Sequence, residues 1–186
     1  MTDPAWVWVD LETTGLGADA DLLEIAAVIT TPDLVETSGL YQDIAYFDRD
    51  SNPGIDPVVL AMHDESGLWK ECAEQGLHHR TRQVLDGFES WLVTEGVAEG
   101  FVLAGSGVAH FDGPWLDHHS PLVAARRTYY SIDVGGTRRL ARGAGVSWPG
   151  AGGEKSHRAT DDILDHLEEA RWLQRMISIG DEEQFS

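Results

Sequence analysis

Residues 5–15 read AWVWVDLETTG, and this stretch decides the architecture. Trp6, Val7, Trp8 and Val9 are all apolar. A run without polar alternation belongs to a strand covered on both faces, inside a sheet. The strand is expected over 5–10, with Asp10 and Glu12 at its close. Residues two apart on a strand face the same way, so the two carboxylates share one side and Leu11 takes the other. Carboxylates pushed together at the end of a buried strand repel each other and lose hydration. That arrangement is unfavourable unless cations sit between them. The alternative is a strand that ends early, with both acids solvated in a turn.

Outward from this strand, residues 22–31 (LLEIAAVITT) and 35–47 read as a second and third strand, punctuated by Pro32, Asp33 and Gly39. Helical patterning follows over 57–63, with Pro57 at the first position, and over 66–75, stopped by Gly76. Over 81–95, Val84, Leu85, Phe88, Trp91 and Leu92 share one helical face ahead of Gly96. FVLAG at 101–105 and YYSIDV at 129–134 read as further strands, and a basic helix with Arg138, Arg139 and Arg142 comes next. Residues 149–153 read as a Gly-rich, flexible loop. The last helix is expected over 160–178, with Ile163, Leu167, Ala170, Leu173 and Ile177 inward. The order β-β-β-α-β-α-β-α predicts an α/β fold, a mixed five-stranded sheet flanked by helices. The ribonuclease-H-like architecture has this order, here as a single domain over 1–186.

The chain of 186 residues carries 32 acidic against 13 basic side chains, a formal net charge of −19. It repels phosphate backbones at long range, which excludes coating or sliding along nucleic acid by electrostatics alone. Contact with nucleic acid must be short, or metal ions must supply positive charge. Cys72 is the one cysteine, so no internal disulfide forms. The N-terminus has no signal-peptide pattern, and no apolar run is long enough to cross a bilayer. A soluble, cytoplasmic protein without membrane contact is expected.

Two further acidic strings join the first. Asp112 lies in SGVAHFDGPWL, where Phe111, Trp115 and Leu116 anchor a short helix that aims the acid; a helix-start Asp suited to the dipole is the alternative. HRATDD spans 157–162. Thr160 is the expected N-cap, with Asp161 in a capping role at the positive end of the helix. His157 and Asp162 stand about one turn apart, so that imidazole and carboxylate can converge on one ligand. The other histidines, His166 among them, include several expected at the surface. Asp10, Glu12, Asp112 and Asp162 are all oxygen donors, which suits Mg²⁺ or Mn²⁺ rather than Zn²⁺. Two such cations can clamp the attacking and leaving oxygens of a phosphodiester, with His157 taking the proton of the attacking water. The cations also invert the local field of the acidic chain.

The order DLETTG, AHFDGPWL, HRATDD resembles the DEDDh exonucleases of the DnaQ-like, ribonuclease-H-fold group, over nearly the whole chain. The resemblance implies metal ligation by Asp10, Glu12, Asp112 and Asp162, His157 as general base, and 3′→5′ release of nucleoside 5′-monophosphates. Within the group, WVDLETTGLGADADLLEIAAVIT, MHDESGLWKE and HRATDDILDHLEEARW are similar to the oligoribonucleases. That similarity implies short single-stranded RNA 3′ ends as substrate and a homodimer. It makes Leu16 an apolar wedge at the terminal bases and places Thr13, His63 and Ser66 at the substrate. A related exonuclease on DNA 3′ ends is the rival reading. A silent binding module is the third, and the complete ligand set speaks against it. Two positions depart from the oligoribonuclease pattern: Val58 stands where a stacking Trp is usual, and Tyr130 where an Arg caps the 5′ phosphate. Val108 replaces the Asn of the proofreading type. Tyr129, Tyr130, Trp69 and Trp148 are further candidates for base stacking. Lys155 and Arg158 flank His157, within reach of a phosphate or in a solvated loop.

Overall fold

The structure, a computed structural model, describes residues 3–97, 99–150 and 156–184. Its first strand, β1 (Trp6–Thr13), runs past Asp10 and Glu12 and carries both within the sheet. β2 (Leu22–Thr30) and the short β3 (Tyr41–Ile44) follow. Three helices come next: α1 (Pro57–Glu65), α2 (Leu68–Glu74) and α3 (Thr81–Thr94). β4 (Phe101–Gly105) leads to α4 (Asp112–His119) and α5 (Pro121–Arg126). β5 (Arg127–Asp133), α6 (Val134–Gly143) and α7 (Ala159–Gln184) complete the chain. The five strands form one mixed sheet in the order β3-β2-β1-β4-β5. β1 is its centre, antiparallel to β2 and parallel to β4. That position explains the unbroken apolar run at Trp6–Val9, since both faces of a central strand are covered.

The faces of β1 feed two cores. Val7, Val9 and Leu11 pack with Leu85, Phe88 and Leu92 of α3, Trp115 and Leu116 of α4 and Val123 of α5. Trp8 faces the other way, with Ala26 and Val28 of β2 and Ile163, Leu167 and Ala170 of α7. Asp10 and Glu12 continue the Trp8 side and therefore lie under α7. A third cluster joins Leu23 to Phe47 and to Leu68, Trp69 and Cys72 of α2. The β1–β2 register slips between Glu12 and Thr13, so that Thr13 faces Leu22 and Leu23 is free to turn toward α2.

Several expectations are corrected here. The third strand is four residues, Tyr41–Ile44, because residues 36–38 are stitched to β2 differently. Glu36 makes a single bridge with Thr30, and Ser38 Oγ accepts from the Ile29 amide at 2.9 Å, a side-chain bond that replaces the ladder. α7 begins at Ala159, so Thr160 lies inside its first turn rather than capping it. Ile177 is 67% exposed, whereas Ile163, Leu167, Ala170 and Leu173 are buried as expected. The helix outruns the sheet it covers. Trp69 is buried, and its Nε1 donates to the Leu60 carbonyl, so it is a core residue. α5 was not expected, although Ser120 and Pro121 mark its start: Ser120 Oγ accepts from the Val123 amide at 3.2 Å. Among the described residues no helix is long and apolar enough to cross a membrane.

The docking of α7 makes a direct test. Leu167→Ala should cost about 2–5 kcal/mol in urea unfolding, and Ile177→Ala should stay within about 0.5 kcal/mol of wild type. Equal losses would mean that the inward face of α7 is assigned wrongly.

Candidate active site

The site is built where β4 leaves β1. The two strands pair only at Trp6, Val7 and Trp8. Gly105 ends β4 against β1; a Cβ there would lie 2.8 Å from the Val9 carbonyl, which only glycine avoids. Beyond this point the Leu11 amide has no strand partner on β4. Asp112 takes it instead, its Oδ1 accepting at 3.1 Å. Asp112 is the first residue of α4, held down by Gly113, whose amide donates to the Val108 carbonyl at 2.8 Å. A Cβ on Gly113 would sit 2.7 Å from that carbonyl. Asp112 is buried, and burial pushes its carboxyl pKa up to about 7.

On the α7 side of β1, the carboxylates of Asp10, Glu12 and Asp162 each place an oxygen within 4.8 Å of the others. Asp10 and Glu12 share their face through the period of two, and Asp162 comes down from the first turn of α7. Glu12 and Asp162 are each 7% exposed. The positive end of α7 eases the charge on Asp162, and Asp161 beside it is exposed. Three converging oxygen donors with little water around them fit a hard divalent cation. Asp112 does not join the group of three; it stands behind the same strand at Leu11.

Four histidines frame the cluster differently. His157 is half-buried and left-handed, with φ of 52°. It is close enough to His63 for their charges to interact. His63 is fully buried, with Nε2 3.3 Å from the Thr13 carbonyl and 3.7 Å from Glu12 Oε2. Burial holds its pKa below the usual imidazole range. It lies against Glu12 from the buried side. His166, one of the other histidines expected to include several at the surface, is buried, and its Nδ1 lies 3.9 Å from Asp10 Oδ1. The spacing could have found it: His166 follows Asp162 by four residues on one helix, and i,i+4 residues share a face. His119 braces the loop between β1 and β2, its Nε2 lying 2.7 Å from the Ala18 carbonyl.

That loop presents Leu16, 87% exposed, just beyond the acids. Thr13 is buried and its hydroxyl donates to the Gly15 carbonyl at 2.6 Å, so it shapes the turn beneath Leu16. Ser66 caps the end of α1, with Oγ 3.5 Å from the His63 carbonyl. Val58 and Tyr130 both lie at the surface, and Tyr129 packs edge-on against Tyr130. Arg158 is partly buried and ion-paired with Glu24 and Glu71. Lys155 and residues 151–153 lie outside the described residues.

No protein-family model matches the chain. It is 30% identical over 185 residues to the oligoribonuclease of Nocardia farcinica, covering 97% of this chain and 84% of that protein. It is 30% identical over 180 residues to the oligoribonuclease of Mycobacterium tuberculosis, covering 91% and 79%. Among solved structures it is similar to exonuclease I from Methylocaldum szegediense, with TM-score 0.68, 19% identity and 93% of this chain covered. An E. coli exonuclease I in complex with a dT13 oligonucleotide gives TM-score 0.70 at 15% identity over 97% of this chain. This chain spans only 41% and 43% of those exonuclease I chains, and the likeness establishes the ribonuclease-H-like fold. With the relatives matched along nearly its whole length, the chain belongs to the oligoribonuclease family.

Proposed function

We propose that the chain hydrolyses phosphodiester bonds from the 3′ end of short single-stranded RNA, releasing nucleoside 5′-monophosphates. The observation that carries this reading is the convergence of Asp10, Glu12 and Asp162 under α7, in a chain of this family. Asp10, Glu12 and Asp162, with Asp112 as the fourth acid, would hold two divalent cations, Mg²⁺ or Mn²⁺. When bound, these ions supply Lewis-acid stabilisation for the attacking and leaving oxygens of the phosphodiester. His157 takes the proton of the attacking water as general base. His157 is half-buried and stands on a left-handed corner rather than in the core. Leu16 supplies an apolar wedge for the terminal base, on a loop braced at Ala18 and Ala20 by His119 and Trp115. His63 and His166 fix the carboxylates they touch. The active form is a homodimer, as the resemblance to the oligoribonucleases implies, and sedimentation at micromolar concentration tests it.

The deciding experiment is a time course on 5′-labelled RNA and DNA oligomers of graded length, with Mg²⁺, Mn²⁺ or EDTA. Stepwise shortening of short RNA from the 3′ end, lost in EDTA, is the expected outcome. Preference for DNA would move the assignment to the rival 3′-end exonuclease, and inactivity on both would defeat it. Asp10→Asn and Asp162→Asn should abolish nucleotide release while the protein stays folded; near-normal turnover in either would reject the ligand assignment. His157→Ala should slow release by about 10²–10⁴-fold, with residual activity remaining, and an undiminished rate would remove it from the base role.

Asp112 gives a pH signature. Its folded pKa of about 7 lies above the ordinary carboxylate value of about 3.9. Between these values the folded chain holds a proton that the unfolded chain has lost, so this group's contribution to stability is lost as pH rises through about 7. In EDTA, Asp112→Asn should therefore raise Tm at pH 8 and have a smaller effect at pH 5. Addition of Mn²⁺ at pH 8 should raise the Tm of wild type more than that of Asp10→Asn.

A further inference from the structure

A second buried glutamate faces α7 beside the acids and is used differently. Glu24 on β2 lies directly across from Glu12 in the β1–β2 register and is fully buried. Unlike Glu12, it does not join the converging oxygens. Its carboxylate is taken by other groups. It accepts from Arg158 Nε at 3.1 Å and Nη2 at 3.0 Å, from the Ala159 amide at 3.0 Å, and from Gln42 Nε2 at 2.5 Å. Arg158 reaches on to Glu71 of α2, with contacts of 2.7 and 2.9 Å. Two glutamates opposite each other on neighbouring strands thus keep different company: Glu24 pairs with a guanidinium, and Glu12 converges with Asp10 and Asp162.

The bonds to Glu24 fall on the bend between His157 and α7. The Ala159 amide opens the helix and has no carbonyl acceptor within it, so the carboxylate from β2 supplies one. The preceding residue, Arg158, is held in a planar fork between two carboxylates on separate elements, which leaves its backbone little freedom. His157, one residue earlier, sits in a conformation that non-glycine residues hold only when the surroundings fix it. We propose that Glu24 is a positioning residue: through Arg158 and the Ala159 amide it fixes this bend and so sets where the His157 imidazole stands relative to Asp162. This rests on the reading of His157 as the base.

The test uses the full chain carrying Arg158→Met, Arg158→Lys, or Glu24→Gln with Arg158→Met, the pair that removes the buried charge together with its partner. Hydrogen exchange over 156–162, Mn²⁺ affinity by electron paramagnetic resonance, and kcat and KM on a short RNA are read for each variant, with and without His157→Ala. Exchange over 156–162 should rise in both Met variants while β1 stays protected, and Mn²⁺ affinity should stay within about threefold of wild type. kcat should fall by about 10–100-fold with KM nearly constant, and Arg158→Lys should recover part of it. On the His157→Ala background the further loss should be under about threefold, because both changes act through one group. Unchanged exchange, Mn²⁺ affinity falling in step with kcat, or losses that multiply on that background would each overturn the proposal. If His157→Ala alone kept full turnover, the base assignment would fail by itself, and the exchange result would separately uphold or overturn the fixing of the bend by Glu24.

Discussion

Everything in this molecule turns on like charges held together. Asp10, Glu12 and Asp162 bring carboxylate oxygens within 4.8 Å of one another in a nearly dry place. That arrangement raises the free energy of the folded chain by repulsion and lost hydration. It persists because the elements that carry the acids are fixed by something stronger. Val7, Val9 and Leu11 are buried on one face of β1 and Trp8 on the other. Ile163 and Leu167 press α7 onto the same sheet. At about 1.5–3 kcal/mol for each fully buried large apolar side chain, these few residues offset the repulsion. The core supplies the rigidity that holds the acids together, and in the proposed function divalent cations would relieve their repulsion.

The acids on this sheet are sorted by the company each keeps. Asp112 fills the edge left by β4 and bonds the Leu11 amide, but burial makes its proton hard to remove, and among the described residues no ion pair to it is seen. Glu24 and Glu169 are equally buried, and each has a guanidinium against it, from Arg158 and Arg138. A buried carboxylate whose partner is missing is unfavourable by several kcal/mol. Glu24 and Glu169 are thereby held as structural carboxylates, each neutralised by an arginine where it lies.

The central strand, the helix carrying Asp162 and the three acidic strings were legible in the sequence because each depends on local period or spacing. Asp10 and Glu12 share a face by the alternation of a strand, and Asp162 sits in a first helical turn. What was not legible depends on partners far along the chain. Arg158 could be placed beside His157, but its pairing with Glu24 spans 134 positions, and nothing near either residue announces it. The Thr160 cap failed because the helix opens one residue earlier, at Ala159, whose amide is met by a carboxylate from another strand, while the Asp162 amide already bonds the Arg158 carbonyl. Ile177 fits the inward period of α7, but periodicity cannot say where the sheet beneath a helix ends. His166 is the opposite case. Its signal was local, four residues after Asp162, and was lost among the other histidines.

The distribution of positive charge limits what substrate this architecture can hold. Arg49, Arg82, Arg127, Arg138, Arg158 and Arg171 are each paired with an acid of the same chain. With 13 basic residues against 32 acidic ones, little is left to meet a phosphate backbone. Affinity for a long strand grows with the number of phosphates neutralised, and this surface neutralises few. Each added nucleotide beyond the site brings another phosphate toward a net charge of −19. The balance of charge therefore favours a substrate of a few nucleotides over a long one.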